Sequence, residues 1–437
     1  MKAWKKIAVL ALIPCLSTAC GSGSGTTPNP PAQTSVKEKD KVLEEPTELV
    51  IYSPALTTED KFYGEHLKKK FPNYSIKFIP NQKGTTLAEM VASGTIIDIF
   101  FHAIGSFETD TKMYGLQYDM TEMIKKRNVD LNRIEPTLLD AIRQLSDGKI
   151  YSLPVYANNL VMFYNKEIFD KFGVAYPKDG MTWEETFEIS KKLTRVDGGM
   201  QYFGFAHVPN ITVRNSPMGI PIVDSKTNAP TINKDSRWMQ FFRTLFVDAV
   251  QDESLREKSK EVFVNGRAFI VNKNIAMNAY LFGMSQSLNI EKPFEWDMVS
   301  LPIFKGSPVG SQITPVDWGI TNQSKNKEAA MEVLKYLTSD EFQIILANAG
   351  LLPVLKSETT TKLLSQSTLL QNKNYKAVLY NKPAAIPAKT PYDTDLISIY
   401  GAMGTEVLSG SMDINTALRQ GEEKAVQKIT EIQQKQK

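Results

Sequence analysis

Apolar and polar positions change period several times along the chain, and each change predicts an element. Residues 48 to 53, ELVIYS, form a short β-rich run; TTED and FYGEHLKKKFP follow, the pattern of a loop, a helix N-cap and a helix. YSIKFIP predicts a second strand, TTLAEMVASG a helix closed by Gly94, and IIDIFF a third strand. Strands and helices alternating at this length predict a parallel sheet covered on both faces. On such sheets ligands bind beyond the carboxyl ends of the strands, which points at Ser53 and Pro54 after the first strand and at His102 to Phe107 after the third.

A helical stretch from about Thr137 to Leu145 comes before a different pattern. KIYSLPVY runs without a helical crossover into NNLVMFYN, and then into a helix from Lys166 to Phe172. Two strands in direct succession with a polar break, Ala157-Asn158-Asn159, suit a chain crossing from one lobe to another. Thr182, with Glu185 three residues later, forms a capping box that starts the next helix.

At the amino end, lysines 2, 5 and 6 precede an apolar run from Ile7 to Leu16, too short to span a bilayer. Small residues then lead to Ala19 and Cys20, the anatomy of an export signal over residues 1–20. Ser17, Thr18, Ala19 and Cys20 resemble the box of bacterial lipoproteins, in which the Cys thiol takes a diacylglycerol; Ser17 departs from the usual Leu. An ordinary signal cut near Ala19 is the alternative. Cys15 would leave with the signal, so no structural disulfide is expected. Residues 21–46 lack apolar periodicity and predict a disordered tether holding a domain off a membrane.

Composition narrows the function classes. The remaining length of roughly 390 residues is large for one core and ordinary for two lobes. The formal charge is only +3, from 51 basic against 48 acidic residues, with no basic or aromatic-interleaved patch, so nucleic acid is not an expected partner. His66, His102 and His207 are the only histidines and are not spaced as metal ligands. Neither a metal nor another cofactor is expected.

The crossover segment resembles the extracellular solute-binding proteins of ABC importers, in the family typified by maltose and multi-sugar binding proteins. FVNGRAFIVNKNIAM resembles the family's helix, Gly turn and short strand, and WDMVSLPIFKG its strand before the second crossover. WGITNQSKNKEAAMEVLKYLTSDEFQ resembles its Trp-Gly strand and following helix, and VLSGSMDINTALRQGEEKAVQKI its closing helix pair. The resemblance implies an α/β, two-lobed periplasmic-binding-protein-like fold of type II, with a ligand cleft between lobes joined by crossing hinge strands. Lobe 1 would comprise residues 48–156 plus 314–354, and lobe 2 residues 157–308 plus 355–437. A monomer that closes on its ligand is implied, with ABC permease subunits as partners. Its place would be the outer face of a cell membrane, held by lipid, in a one-membrane bacterium of Gram-positive type.

A sugar site needs aromatic faces for the C–H side of the ring and planar polar groups for its hydroxyls, because buried donors left unpaired are costly. Tyr156, Asn158 and Asn159 lie at the crossover; the alternative is that Tyr156 packs the hinge and the asparagines satisfy turn backbone. His102 aligns with the family's aromatic after the third strand, where an imidazole would stack and donate, or would be a satisfied core residue. Phe107 reads as core. Asp317 would accept paired hydroxyls and Trp318 would offer a ring face, unless it packs in the core. Asn215, Asn278, Tyr280 and Tyr392 come from second-lobe loops, while Trp183, Trp238 and Trp296 read as core. Where maltose-type members carry second-lobe tryptophans, this chain offers Ile275 and Ile397, which leaves the sugar's identity open.

Two other functions compete. A secreted carbohydrate-active enzyme would need two carboxylates across a scissile bond, yet strand ends supply few, and no GxSxG elbow occurs. A surface lectin would share the binding chemistry and lack only the permease. The expectation is a non-enzymatic receptor for a small solute, a sugar or oligosaccharide.

Overall fold

A computed structural model describes residues 43–53, 58–103, 107–146, 148–263 and 265–435. The Cys20 signal, residues 21–42 of the tether and Pro54 lie outside the described residues. Val42–Lys437 forms one compact unit.

In chain order the strands are β1 (Thr47–Ser53), β2 (Tyr74–Pro80), β3 (Ile99–Ala103), β4 (Leu153–Asn158), β5 (Leu160–Asn165), β6 (Arg195–Asp197), β7 (Met200–His207), β8 (Ile275–Leu281), β9 (Trp296–Ser300), β10 (Val309–Gln312), β11 (Thr314–Ile320) and β12 (Lys382–Ala384). Five of them pair as β2-β1-β3-β11-β4. β1 is parallel to β2 and β3, whereas β11 is antiparallel to β3 and β4. The expectation of a wholly parallel sheet is corrected by β11. That strand enters from the second sheet's side with no helical crossover, so it runs against its neighbours.

Alternation along β1 explains how both faces are covered. Leu49 and Ile51 pack with Tyr63 and Leu67 of the helix Thr58–Lys70. Tyr52 packs on the opposite face with Ile79, Leu87 and Met90. The second sheet pairs as β6-β7-β8-β5-β9. Every residue of its strand β5 is buried, as a strand covered on both faces requires. Its core takes in Trp183, Trp238 and Trp296, which matches their reading as packing residues. Thr182 and Glu185 form the capping box that starts the helix Trp183–Leu193, and the chain ends in the helices Asp393–Leu408 and Ile414–Lys435.

Only Asn159 separates β4 of the first sheet from β5 of the second. The return from β9 passes through β10, which pairs with β12 in a two-stranded sheet of its own, and only Ile313 separates β10 from β11. A third link runs near residue 354, where the Ala157 N–H donates to Leu352 O at 2.8 Å and the Glu135 N–H to Val354 O at 2.8 Å.

His207, at the end of β7, carries a stability consequence. It is fully buried. Its Nε2 donates to Leu245 O at 2.9 Å, and Nδ1 lies 3.0 Å from the Thr212 hydroxyl. Burial pushes its pKa down to about 4. The neutral ring therefore contributes stability above the unfolded value near 6.5, and that contribution is lost as pH falls toward 4, by about 3 kcal/mol. Urea denaturation is expected to show this loss as a difference between proteins: on going from pH 7 to pH 4 the wild type changes by about 3 kcal/mol less favourably than His207→Gln.

Candidate functional site

Side chains lace the crossings together. The Thr314 hydroxyl lies 3.3 Å from both the Asn158 carbonyl oxygen and Asn215 Oδ1. Asn158 Oδ1 accepts the Gly283 N–H at 3.3 Å, and Asn159 Nδ2 donates to Val378 O at 2.6 Å. The Leu160 N–H donates to the Ser311 hydroxyl at 2.8 Å, and Gln312 Nε2 to Ser216 O at 3.3 Å. Asn215 Nδ2 donates to Ile211 O at 2.9 Å. Asn158, Asn159 and Asn215 are thus brought to one place, and the bonds they make there satisfy backbone and fasten the hinge. Asn158 is half-buried, while Asn159 and Asn215 are interior.

The other sequence-predicted residues distribute differently. Tyr156 is buried in the first-lobe core, opposite Val316 of β11. Ser53 is buried at the end of β1, where its carbonyl accepts the Asn81 N–H at 2.8 Å. The backbone of His102 pairs with Asp317 in the ladder; its side chain lies outside the described residues. Phe107 is interior, as expected, with its ring centroid 5.6 Å from that of Tyr151. Asn278 and Tyr280 sit on β8; the first is buried beside Met284, and the second is half-buried, its phenol pushed up by burial. Gly266 is required there, since a Cβ would come 2.4 Å from the Tyr280 ring. Tyr392 is buried and accepts from Gln433 Nε2 at 3.2 Å.

Trp318 does not offer an open ring face. It is 0% exposed, with ring centroids 4.9 Å from those of Tyr63 and Phe101. Alternation along β11 turns it to the core face that also carries Val316 and Ile320. Asp317 is also interior, and burial pushes its carboxyl up to about 7 against the opposing hydrogen bond from Ser152.

Sequence reasoning passed over Thr314 and Gln312, which lie beside Ile313, and Ser216 and Gly283, which reach the crossings only through hydrogen bonds to residues 96 and 125 positions away. It also passed over Ile386, which packs with Phe100, Phe107 and Ala141 and so links the segment after β12 to the first sheet. A cavity of about 390 Å³ lies beside that contact, walled by Thr137, Asp140 and Gln144 on one side and by Ile313 and Ala384 on the other. A second cavity, of about 300 Å³, lies within the second lobe between Phe187, Phe205 and Asp248, and no predicted site residue lines it. Among the described residues, no group of three or more His, Cys, Asp or Glu is placed to hold a metal, and no helix is long and apolar enough to cross a membrane.

Two cores joined directly at Asn159 and again by the chain that returns through β10 into β11 make a pair of lobes, and residues 53–344 match the profile of the bacterial extracellular solute-binding proteins. The chain belongs to that family. A binding protein of Brucella abortus (strain 2308) is 23% identical over 240 residues, 48% of this chain and 52% of the relative. The chain thus spans about half the length of that relative. The sn-glycerol-3-phosphate-binding periplasmic protein of Rhizobium meliloti (strain 1021) is 24% identical over 313 residues, 62% of this chain and 66% of the relative. Among solved structures, an ABC substrate-binding protein of Listeria monocytogenes in complex with cycloalternan is similar, with a TM-score of 0.72 at 20% identity, covering 88% of this chain and 100% of that one. The two-lobed solute-binding fold is therefore the fold of this chain.

Proposed function

We propose that this solute-binding protein is a non-enzymatic receptor, anchored by lipid at Cys20 on the outer face of a cell membrane, that delivers a sugar or oligosaccharide to the permease subunits of an ABC importer. The observation that carries the reading is the one-residue crossing at Asn159, by which β4 of the first sheet runs directly into β5 of the separately cored second sheet, with the chain returning into the first sheet at β11. Such crossings let the lobes rotate while each keeps its own ladder, and a solute touching both lobes favours the closed state. In this reading lobe 1 is residues 48–156 plus 314–354, and lobe 2 is 157–308 plus 355–437. The ligand lies at the crossings, against Asn158, Asn215 and the residues beside them. The Listeria protein's cycloalternan and the Rhizobium protein's name support a hydroxyl-rich solute.

The test is a thermal-shift panel on the detergent-solubilised full chain, using mono- and oligosaccharides with peptides, polyamines and phosphate esters as controls. One sugar class at about 100 times its Kd is expected to stabilise by about 2.7 kcal/mol, a rise of a few degrees. Asn158→Ala is expected to abolish the shift, and the sugar is expected to be recovered intact. A shift with a non-sugar alone removes the sugar and keeps the receptor; hydrolysed sugar favours a carbohydrate-active enzyme.

A further inference from the structure

The cavity of about 300 Å³ in the second lobe is lined by none of the residues at the crossings. It lies between the helix Trp183–Leu193, strand β7, the turn that follows Val247 and the helix Arg256–Phe263. Its volume stands at the lower end of the range of small-molecule sites. Phe187, Phe203, Phe205 and Phe263 wall it together with Val250 and Leu255, and all six are buried. The rings hold one another, because the Phe205 centroid lies 5.5 Å from that of Phe187 and 6.1 Å from that of Phe263, edge to face in both cases. At Gly204 the strand lies directly against the helix. A Cβ there would come 2.0 Å from Ser190 O, and the Gly204 N–H donates to Thr194 Oγ1 at 3.0 Å. The walls are thus fixed by their own contacts.

Three hydroxyls line this space, and two of them are satisfied. Thr194 Oγ1 donates to Ser190 O at 2.9 Å and Ser259 Oγ to Leu255 O at 2.8 Å, each reaching four residues back along its own segment. Ser190 makes no such bond. Its Oγ has no hydrogen-bond partner among the described residues, although the residue is only 6% exposed. A hydroxyl withdrawn from water and left unpaired is costly, so a ligand group that completes it is favoured. The charged side chains Lys191, Asp248 and Asp252 are exposed and stand at the mouth with both signs present. Charges held in water select weakly between ligands. The interior therefore offers aromatic surface and one free hydroxyl.

We propose that this cavity is a ligand site separate from the cleft at the crossings, and that it takes a small neutral aromatic molecule of the phenol or indole class. The ring packs among the four phenylalanines, and the ligand's single O–H or N–H donates to Ser190 Oγ, which can both accept and donate. The inference does not rest on the identity of the transported solute.

Isothermal titration of the detergent-solubilised full chain tests the site with phenol, indole, benzene, benzoate and benzylammonium. Ser190→Leu in the same micelles supplies the background, since the larger side chain takes up the space. Phenol and indole are expected to bind the wild type and to lose that binding in Ser190→Leu. Phenol is expected to bind the wild type about fivefold more tightly than benzene, the worth of one neutral hydrogen bond, and Ser190→Ala to remove the difference with benzene affinity unchanged. An unliganded melting temperature near that of the wild type shows each variant folded, and the Ser190→Ala comparison decides the matter even where leucine is not accommodated. Equal heats in the wild type and folded Ser190→Leu, a phenol preference that survives Ser190→Ala, or tighter binding of benzoate or benzylammonium than of phenol overturns the proposal. Silence of every aromatic probe also overturns it and leaves the sugar receptor standing.

Discussion

Trp318→Ala is expected to lower the stability of the fold by about 3–5 kcal/mol, the usual cost of emptying a large buried aromatic site. The ring is fully enclosed by Tyr63, Phe101 and Phe78, which come from a helix and two strands of the first lobe. Those neighbours are held by backbone ladders and cannot collapse into the space. Urea denaturation measures the loss. Ligand affinity of the protein that remains folded is expected to be unchanged, because the ring faces the core. Lost binding with a stability change under about 1 kcal/mol would make Trp318 a stacking platform after all.

Asp317→Asn is expected to raise stability by about 4 kcal/mol at pH 8 and to change it little at pH 4. Burial lifts the Asp317 carboxyl to about 7, above its ordinary value of 3.8. Below the unfolded value both states hold the proton and nothing is lost. As pH rises from about 4 to 7, the unfolded chain releases its proton first, so the native state loses roughly 1.4 kcal/mol per unit until its own carboxyl ionises. Asparagine keeps an oxygen for the Ser152 hydroxyl and carries no charge to desolvate. His207 has the opposite slope between about 4 and 6.5, because there a base is held neutral. The two contributions offset each other in the wild type, so a flat profile between pH 4 and 6.5 is expected until either residue is replaced. A gain in Asp317→Asn equal at pH 4 and pH 8 would show that the carboxyl titrates normally.

Placing the ionisable and aromatic groups needed distant partners, whereas placing most elements did not. β2 occupies YSIKFIP, and the helix Lys166–Phe172 has its expected ends, because Asn165 caps it and Gly173 closes it at φ 64°. Gly94, at φ 67°, follows the helix Leu87–Ala92 in the same way. The third strand is displaced from IIDIFF to Ile99–Ala103. Asp98 leaves the run to accept the Val50 N–H at 2.9 Å and the Ser324 hydroxyl, the latter from 226 residues away. After Gly266 the chain forms the extra helix Arg267–Asn272 before β8, where a turn leading directly to a strand was expected.

The candidate site divides along the same line. Asn158 and Asn159 were legible because a polar break between two apolar strands is a local pattern, and Asn215 meets them only through Thr314, 99 residues further on. Lys389 looks like an ordinary scattered charge until the second lobe buries it beside the Asp393 carboxylate.

Periodicity, caps and glycine turns act within a few residues, so the sequence by itself determined the type of most elements and the two-strand crossover, while the two-lobed fold was legible through the resemblance of longer segments to a family. The reversed course of β11, the enclosure of Trp318 and the raised carboxyl of Asp317 depend on residues far apart in the chain. Only the tertiary structure decided them, because burial and charge pairing are properties of the folded neighbourhood and leave no periodic trace along the chain.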